Sequence, residues 1–99
     1  MERGGCIYIM TNQHHTVLYV GVTSDLSSRI TDHRERIYLK SFSARYNLNK
    51  LVYYELFYSI EEAIEREKQI KAGSRKKKMQ LIGSLNPEWR DLFDEVKWW

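Results

Sequence analysis

The sequence predicts an α+β domain, a small antiparallel sheet flanked by helices, and three observations carry that reading. Residues 6–11 and 16–22 are rich in β-branched and aromatic types and are separated by the polar Asn12-Gln13-His14-His15. A third apolar run, Leu51-Val52-Tyr53-Tyr54-Glu55-Leu56-Phe57, has the length and composition of a strand. Around these runs, helix start and stop signals recur at Ser24, at Ser59 with Glu62, at Gly73 and at Asn86-Pro87.

Taken in order, the first two runs make a hairpin. Ser24 caps a helix that begins at Asp25, with Leu26, Ile30, His33 and Ile37 along one stripe. Residues 38–50 have no clear period and read as a connection with local turns. Ser59 and Glu62 form a Ser-x-x-Glu capping box that opens a second helix from Ile60 to about Ala72, which Gly73 ends. Ser74 caps a third helix carrying Arg75-Lys76-Lys77-Lys78 in its first turn and Met79, Ile82 and Leu85 further on. Positive charges there oppose the helix macrodipole by a few tenths of a kcal/mol each, a conflict that a nearby anion would remove. Asn86 as N-cap and Pro87 as first helical residue then open a short helix with Trp89, Leu92 and Phe93 facing inward.

A chain of 99 residues supports one hydrophobic core, so residues 1–99 read as a single domain. Its 42% apolar and 29% charged content is that of a soluble globular protein. Apolar runs such as Val17–Val20 are far too short to span a bilayer, and the residues after Met1 lack the apolar stretch of a secretory leader. The single cysteine, Cys6, excludes an internal disulfide and a multi-cysteine zinc site, which points to a reducing cytoplasm. The net charge of +3 is modest, but Arg75, Lys76, Lys77 and Lys78 concentrate positive charge where it can attract phosphates. A solvated helix face is the plain reading of that block by itself.

Glu67 breaks the pattern of its own helix, because it falls within the stripe formed by Ile60, Ala63, Ile64 and Ile70. A carboxylate facing the core side needs a cation, a hydrogen-bonding partner or a metal ion, and an ion pair with an arginine or lysine competes evenly with a functional role. Tyr8 and Tyr19 sit near the middle of their strands, where tyrosine often serves only packing. Gly21 interrupts the second strand at some cost, as glycines do where another group must approach closely. Arg29 and His33 stand four residues apart on one helix face, pairing a donor fork suited to phosphate with an imidazole able to exchange a proton. A surface salt bridge for Arg29 with Asp25 or Asp32, and a satisfied core histidine for His33, are the corresponding structural readings. His14 and His15 read as exposed turn residues without a role.

Together, Cys6-Ile7-Tyr8, Tyr19-Val20-Gly21, Arg29, His33 and Glu67 reproduce in order the signature of the GIY-YIG nuclease superfamily, and the resemblance covers nearly the whole chain. The chain is most similar to small stand-alone bacterial members related to the nuclease module of the excision-repair endonuclease and to structure-specific endonucleases. Tyr19-Val20-Gly21-Val22-Thr23 and Arg66-Glu67-Lys68-Gln69-Ile70-Lys71 resemble the best-marked blocks of that group, and Leu81-Ile82 with Asn86-Pro87-Glu88-Trp89 its ending.

The resemblance implies a three-stranded antiparallel sheet flanked by helices and a metal-dependent endonuclease, with a role in DNA repair. In that scheme Glu67 ligates one divalent cation, Mg²⁺ or Mn²⁺, and Tyr8 orients or deprotonates the attacking water. Tyr19 supports the scissile phosphate or the water network, Arg29 contacts the phosphate in the transition state, and His33 relays a proton beside Tyr8. The implied partner is nucleic acid, DNA before RNA, with room for a partner protein that supplies specificity. Cys6 replaces the first glycine of the motif, Val20 the middle residue of the second tripeptide, and Thr23 stands where some relatives carry lysine. Asn86 stands where the pattern has a late asparagine, but its place before Pro87 is what a plain helix cap gives, and the cap is the stronger reading. Two other classes compete: a nucleic-acid-binding module with weak or no cleavage that uses Arg29 and residues 75–78, and an interaction domain built on Trp98-Trp99.

Overall fold

A computed structural model describes residues 4–35 and 46–99. The sheet contains β1 (Gly5–Thr11), β2 (Leu18–Thr23) and β3 (Lys50–Phe57) in the spatial order β2-β1-β3, with both pairings antiparallel. All of β1 is buried, as expected for a central strand covered on both faces. Alternation then divides the core in two. Cys6, Tyr8 and Met10 face helix α1 (Leu26–Arg34) and the C-terminal helical turn α4 (Phe93–Val96), packing with Leu26, Ile30, Leu92 and Val96. Ile7 and Ile9 face the other way and pack with Ala63 and Ile70 of α2 (Ile60–Ala72) and Ile82 of α3 (Arg75–Leu85).

The predicted strands and the helices α2 and α3 are all present. Ser59 Oγ accepts from Glu62 N at 3.2 Å and its hydroxyl donates to the Glu62 carboxylate, while Gly73 ends α2. Ser74 caps α3 through Lys77 N at 3.1 Å. For α1 the cap is Asp25, one residue later than expected, accepting from Ser28 N at 3.2 Å. Thr23 takes part in this junction, its hydroxyl accepting from Asp25 N at 3.0 Å. Ile37 and most of the expected connection, residues 38–45, lie outside the described residues.

The C-terminal expectation needs correction. Asn86 is the C-cap of α3 and opens no helix at Pro87; the last helical turn begins only at Phe93. The reason lies in β3, whose register against β1 slips between Ile9 and Met10. That irregularity puts the consecutive residues Val52 and Tyr53 into the same core cluster. Buried Asn86 donates from Nδ2 to the Val52 carbonyl at 3.2 Å and to Arg90 O at 2.7 Å, and accepts from Arg90 N at 3.0 Å. Asp91 Oδ1 accepts from Leu51 N at 3.1 Å, Leu92 N donates to Leu51 O at 2.7 Å, and Arg34 pairs with Asp91 at 2.5 Å. Residues 86–92 thus cover the outer edge of β3, and an extra turn of helix there would forfeit those bonds.

The two terminal tryptophans take different roles. Trp99 meets Tyr54 edge-on at 5.4 Å between ring centroids, whereas Trp98 is 84% exposed. His15 is more than an exposed turn residue. Its ring stacks on Trp89 at 4.7 Å, its Nε2 lies 3.0 Å from Lys50 Nζ, and its carbonyl accepts from Arg75. Cys6, buried in the central strand, has its thiol pushed up to about 12, chiefly by burial. Among the described residues, no helix is long and apolar enough to cross a membrane.

Candidate active site

Three of the predicted side chains meet on the α1 face. Tyr8 rises from the middle of β1, and its hydroxyl lies 3.0 Å from His33 Nε2, which α1 brings in from above. Tyr19, on the neighbouring strand, completes the group: its ring centroid is 6.2 Å from that of Tyr8 and 5.6 Å from that of His33. Arg29, exposed one turn before His33, is near enough for its charge to act on both Tyr8 and His33.

Gly21 makes this arrangement possible. It is the cross-strand partner of Tyr8, and a Cβ added there would lie no more than 2.8 Å from Tyr8 Cζ, Oη and Cε1. The phenol ring therefore lies flat across the glycine of β2. Because Tyr8 is buried against α1, the ring has nowhere to withdraw. Gly21→Ala is expected to cost about 1–3 kcal/mol from overpacking and to break the Tyr8–His33 bond. Thermal denaturation, together with loss of the coupling between the two side chains in ring-proton NMR spectra, checks this; an unshifted melting point would contradict it.

The electrostatics of the pair are set by burial. Desolvation, and then Tyr19, push the Tyr8 phenol well above its ordinary range, with the Arg29 charge opposing. Burial, and then Arg29, hold His33 below its ordinary value, with Asp32 opposing. At neutral pH the pair is a neutral phenol beside a neutral imidazole, and Tyr8 donates when Nε2 is the unprotonated nitrogen.

Glu67 stands on α2, whose Ala63 and Ile70 pack on the face of the sheet opposite to α1. Its side chain is only 15% exposed, as the stripe argument requires, and it pairs with Lys71 one turn later at 3.1 Å. Lys71 is the residue that sequence reasoning passed over, although its i,i+4 spacing from Glu67 was a usable signal. The two halves approach at the outer edge of β2, where Leu18, Tyr19, Val20, Lys71 and Lys78 line one open depression. Ile64, placed on the same stripe, is 37% exposed, so the buried face of α2 is narrower than the periodicity suggested.

The basic block separates into different roles. Arg75 donates to His15 O at 2.7 Å and Lys78 to Gly73 O at 2.7 Å, while Lys76 and Lys77 are exposed. A second carboxylate, Glu55, is held by Arg66 through two bonds of 2.9 and 3.1 Å and by the Tyr53 hydroxyl. Burial raises the Glu55 carboxyl, but these bonds more than offset it and leave it below its usual range. This is a structural clamp between β3 and α2.

A family model described as the GIY-YIG catalytic domain matches residues 4–80, the stretch that holds all five candidate residues. The chain belongs to the GIY-YIG family. Among its relatives, a UPF0213 protein of Clostridium perfringens is 38% identical over 90 residues, covering 91% of this chain and 95% of that protein. A UPF0213 protein of Syntrophus aciditrophicus is 35% identical over 82 residues, covering 83% and 92%. The solution NMR structure of the UPF0213 protein BH0048 from Bacillus halodurans superposes with a TM-score of 0.55 at 30% identity, covering 88% of this chain and 90% of that one. The chain is thus a small GIY-YIG protein of the UPF0213 kind, with the three-stranded antiparallel sheet and flanking helices of that neighbour.

Proposed function

We propose that the chain is a metal-dependent endonuclease that hydrolyses phosphodiester bonds in DNA. The observation that carries this reading is the part-buried Tyr8–His33 hydrogen bond beside Tyr19, with Arg29 close enough to act on both. A binding module has no need of a phenol sequestered against an imidazole, whereas proton transfer does.

Tyr8 is no resting phenolate. The ordinary values of tyrosine and histidine differ by about 3.5 units, or about 5 kcal/mol against moving the proton to His33, and burial widens that gap. The pair therefore works as a relay. Tyr8 Oη takes a proton from the attacking water as it passes its own to His33 Nε2, the water oxygen bonds to phosphorus, and the leaving oxygen departs with the electron pair of its bond and takes a proton from solvent. Arg29 presents its guanidinium to the phosphate oxygens, and Tyr19 fixes the edge against which the phosphate rests.

The residues fit a hard divalent cation. Among the described residues, no three of His, Cys, Asp and Glu form a ligand cluster, but Mg²⁺ or Mn²⁺ keeps most of its waters and needs few carboxylates. Glu67 offers one, partly exposed and already neutralised by an ammonium. A divalent ion held by Glu67 would supply Lewis-acid neutralisation of the charge that builds on the phosphate. Among the described residues no element is dedicated to reading bases, so recognition rests on backbone, ends and branched shape.

The decisive test is a cleavage panel of single-stranded, duplex, flap and junction DNA, with RNA counterparts, in Mg²⁺, Mn²⁺ or EDTA. Cleavage of at least one DNA form that stops in EDTA is expected. Binding without cleavage in either metal would replace this reading by the nucleic-acid-binding one.

A further inference from the structure

We propose that Lys71 and Lys78 form a phosphate-binding subsite beside Tyr19, which grips the nucleic-acid backbone next to the bond that is cut. The proposal rests on the nuclease reading and deepens it. β2 is an outer strand among the described residues, so its outer edge lies between the α1 face, with Tyr8, His33 and Arg29, and the α2 face, with Glu67. The open depression on that edge takes Tyr19 from one side and Lys71 and Lys78 from the other. A polyanion seated at Tyr19 meets both ammonium groups.

Each ammonium has a partner within the fold. Lys71 Nζ is held 3.1 Å from Glu67 Oε2 and Lys78 Nζ 2.7 Å from Gly73 O. An ammonium has three donors, and each of these bonds uses one, fixing the direction of the others. The two lysines come from different helices, on either side of the α2–α3 junction, and line the same depression. Of the four-residue basic block, Arg75 is committed to the His15 carbonyl, which leaves Lys78 as its member facing Tyr19.

The test is fluorescence anisotropy of short labelled single-stranded and flap DNA in EDTA, which reads binding apart from cleavage, over a range of salt. Lys71→Met and Lys78→Met are each expected to weaken binding about fivefold at low salt and to flatten the slope of log affinity against log salt by about 0.7–0.9. Lys71→Arg should restore both. Lys68→Met removes the same charge from α2 outside the depression and should change binding less than twofold. If Lys71→Met and Lys78→Met behave like Lys68→Met while the wild type binds and cleaves, the subsite is refuted and the nuclease reading stands. If the wild type neither binds nor cleaves, both fall. Melting curves of Lys78→Met guard the comparison, and should that variant unfold, Lys71→Met with its arginine rescue decides alone.

Discussion

Tyr8→Phe is expected to lower the cleavage rate by about 10²–10⁴, the range contributed by a positioned acid–base group. The ring, its contact with Gly21 and its core packing are unchanged, and only the hydroxyl facing His33 is lost. Stability should fall by about 1 kcal/mol, or about 4–8 °C in melting temperature. The pH profile gives a second measure. His33 is held below its ordinary value of about 6.5, so it is neutral and able to accept a proton at pH 7. Activity should therefore stay level from neutral pH down to that region and fall only below it, as the imidazole becomes protonated. His33→Gln should remove that acid limb along with most of the rate. Wild-type cleavage by Tyr8→Phe, or an acid limb that persists without His33, would sink the relay.

Glu67→Ala should abolish cleavage and the Mn²⁺-binding isotherm while leaving the melting temperature within about 3 °C, equivalent to about 0.5 kcal/mol. The small stability effect follows from its surroundings, because the side chain is bonded to a half-exposed lysine one turn away, a type of pair worth a few tenths of a kcal/mol. A purely structural carboxylate would give the opposite pattern. Large destabilisation with Mn²⁺ binding retained would remove Glu67 from the site.

Local signals with short reach were legible in the sequence. Ser59, Glu62 and Gly73 set the ends of α2 because each acts on backbone groups within a few residues. The strand runs were equally plain, and so was the isolation of Glu67 on an apolar stripe. What escaped depended on partners far along the chain. Asn86-Pro87 has the form of an N-cap, yet the irregularity in β3 offers Asn86 the carbonyl of Val52, 34 residues away, and that bond wins. The stacking of His15 on Trp89, and the capture of its carbonyl by Arg75, likewise join residues that no periodicity connects. The candidate site was readable as a list of residues and not as a geometry. Helix spacing put Arg29 beside His33, but no local pattern says that α1 and α2, which carry the candidate residues, pack on opposite faces of the sheet.

The lone sulfhydryl in the middle strand supplies a built-in reporter. Cys6 is sealed between strand neighbours and α1-side side chains, and its proton is held until about pH 12. An alkylating reagent or Ellman's disulfide should leave the native protein unlabelled, since both require the thiolate and access to it. Modification must wait for the sheet to come apart, so its rate counts global opening events without any engineered probe.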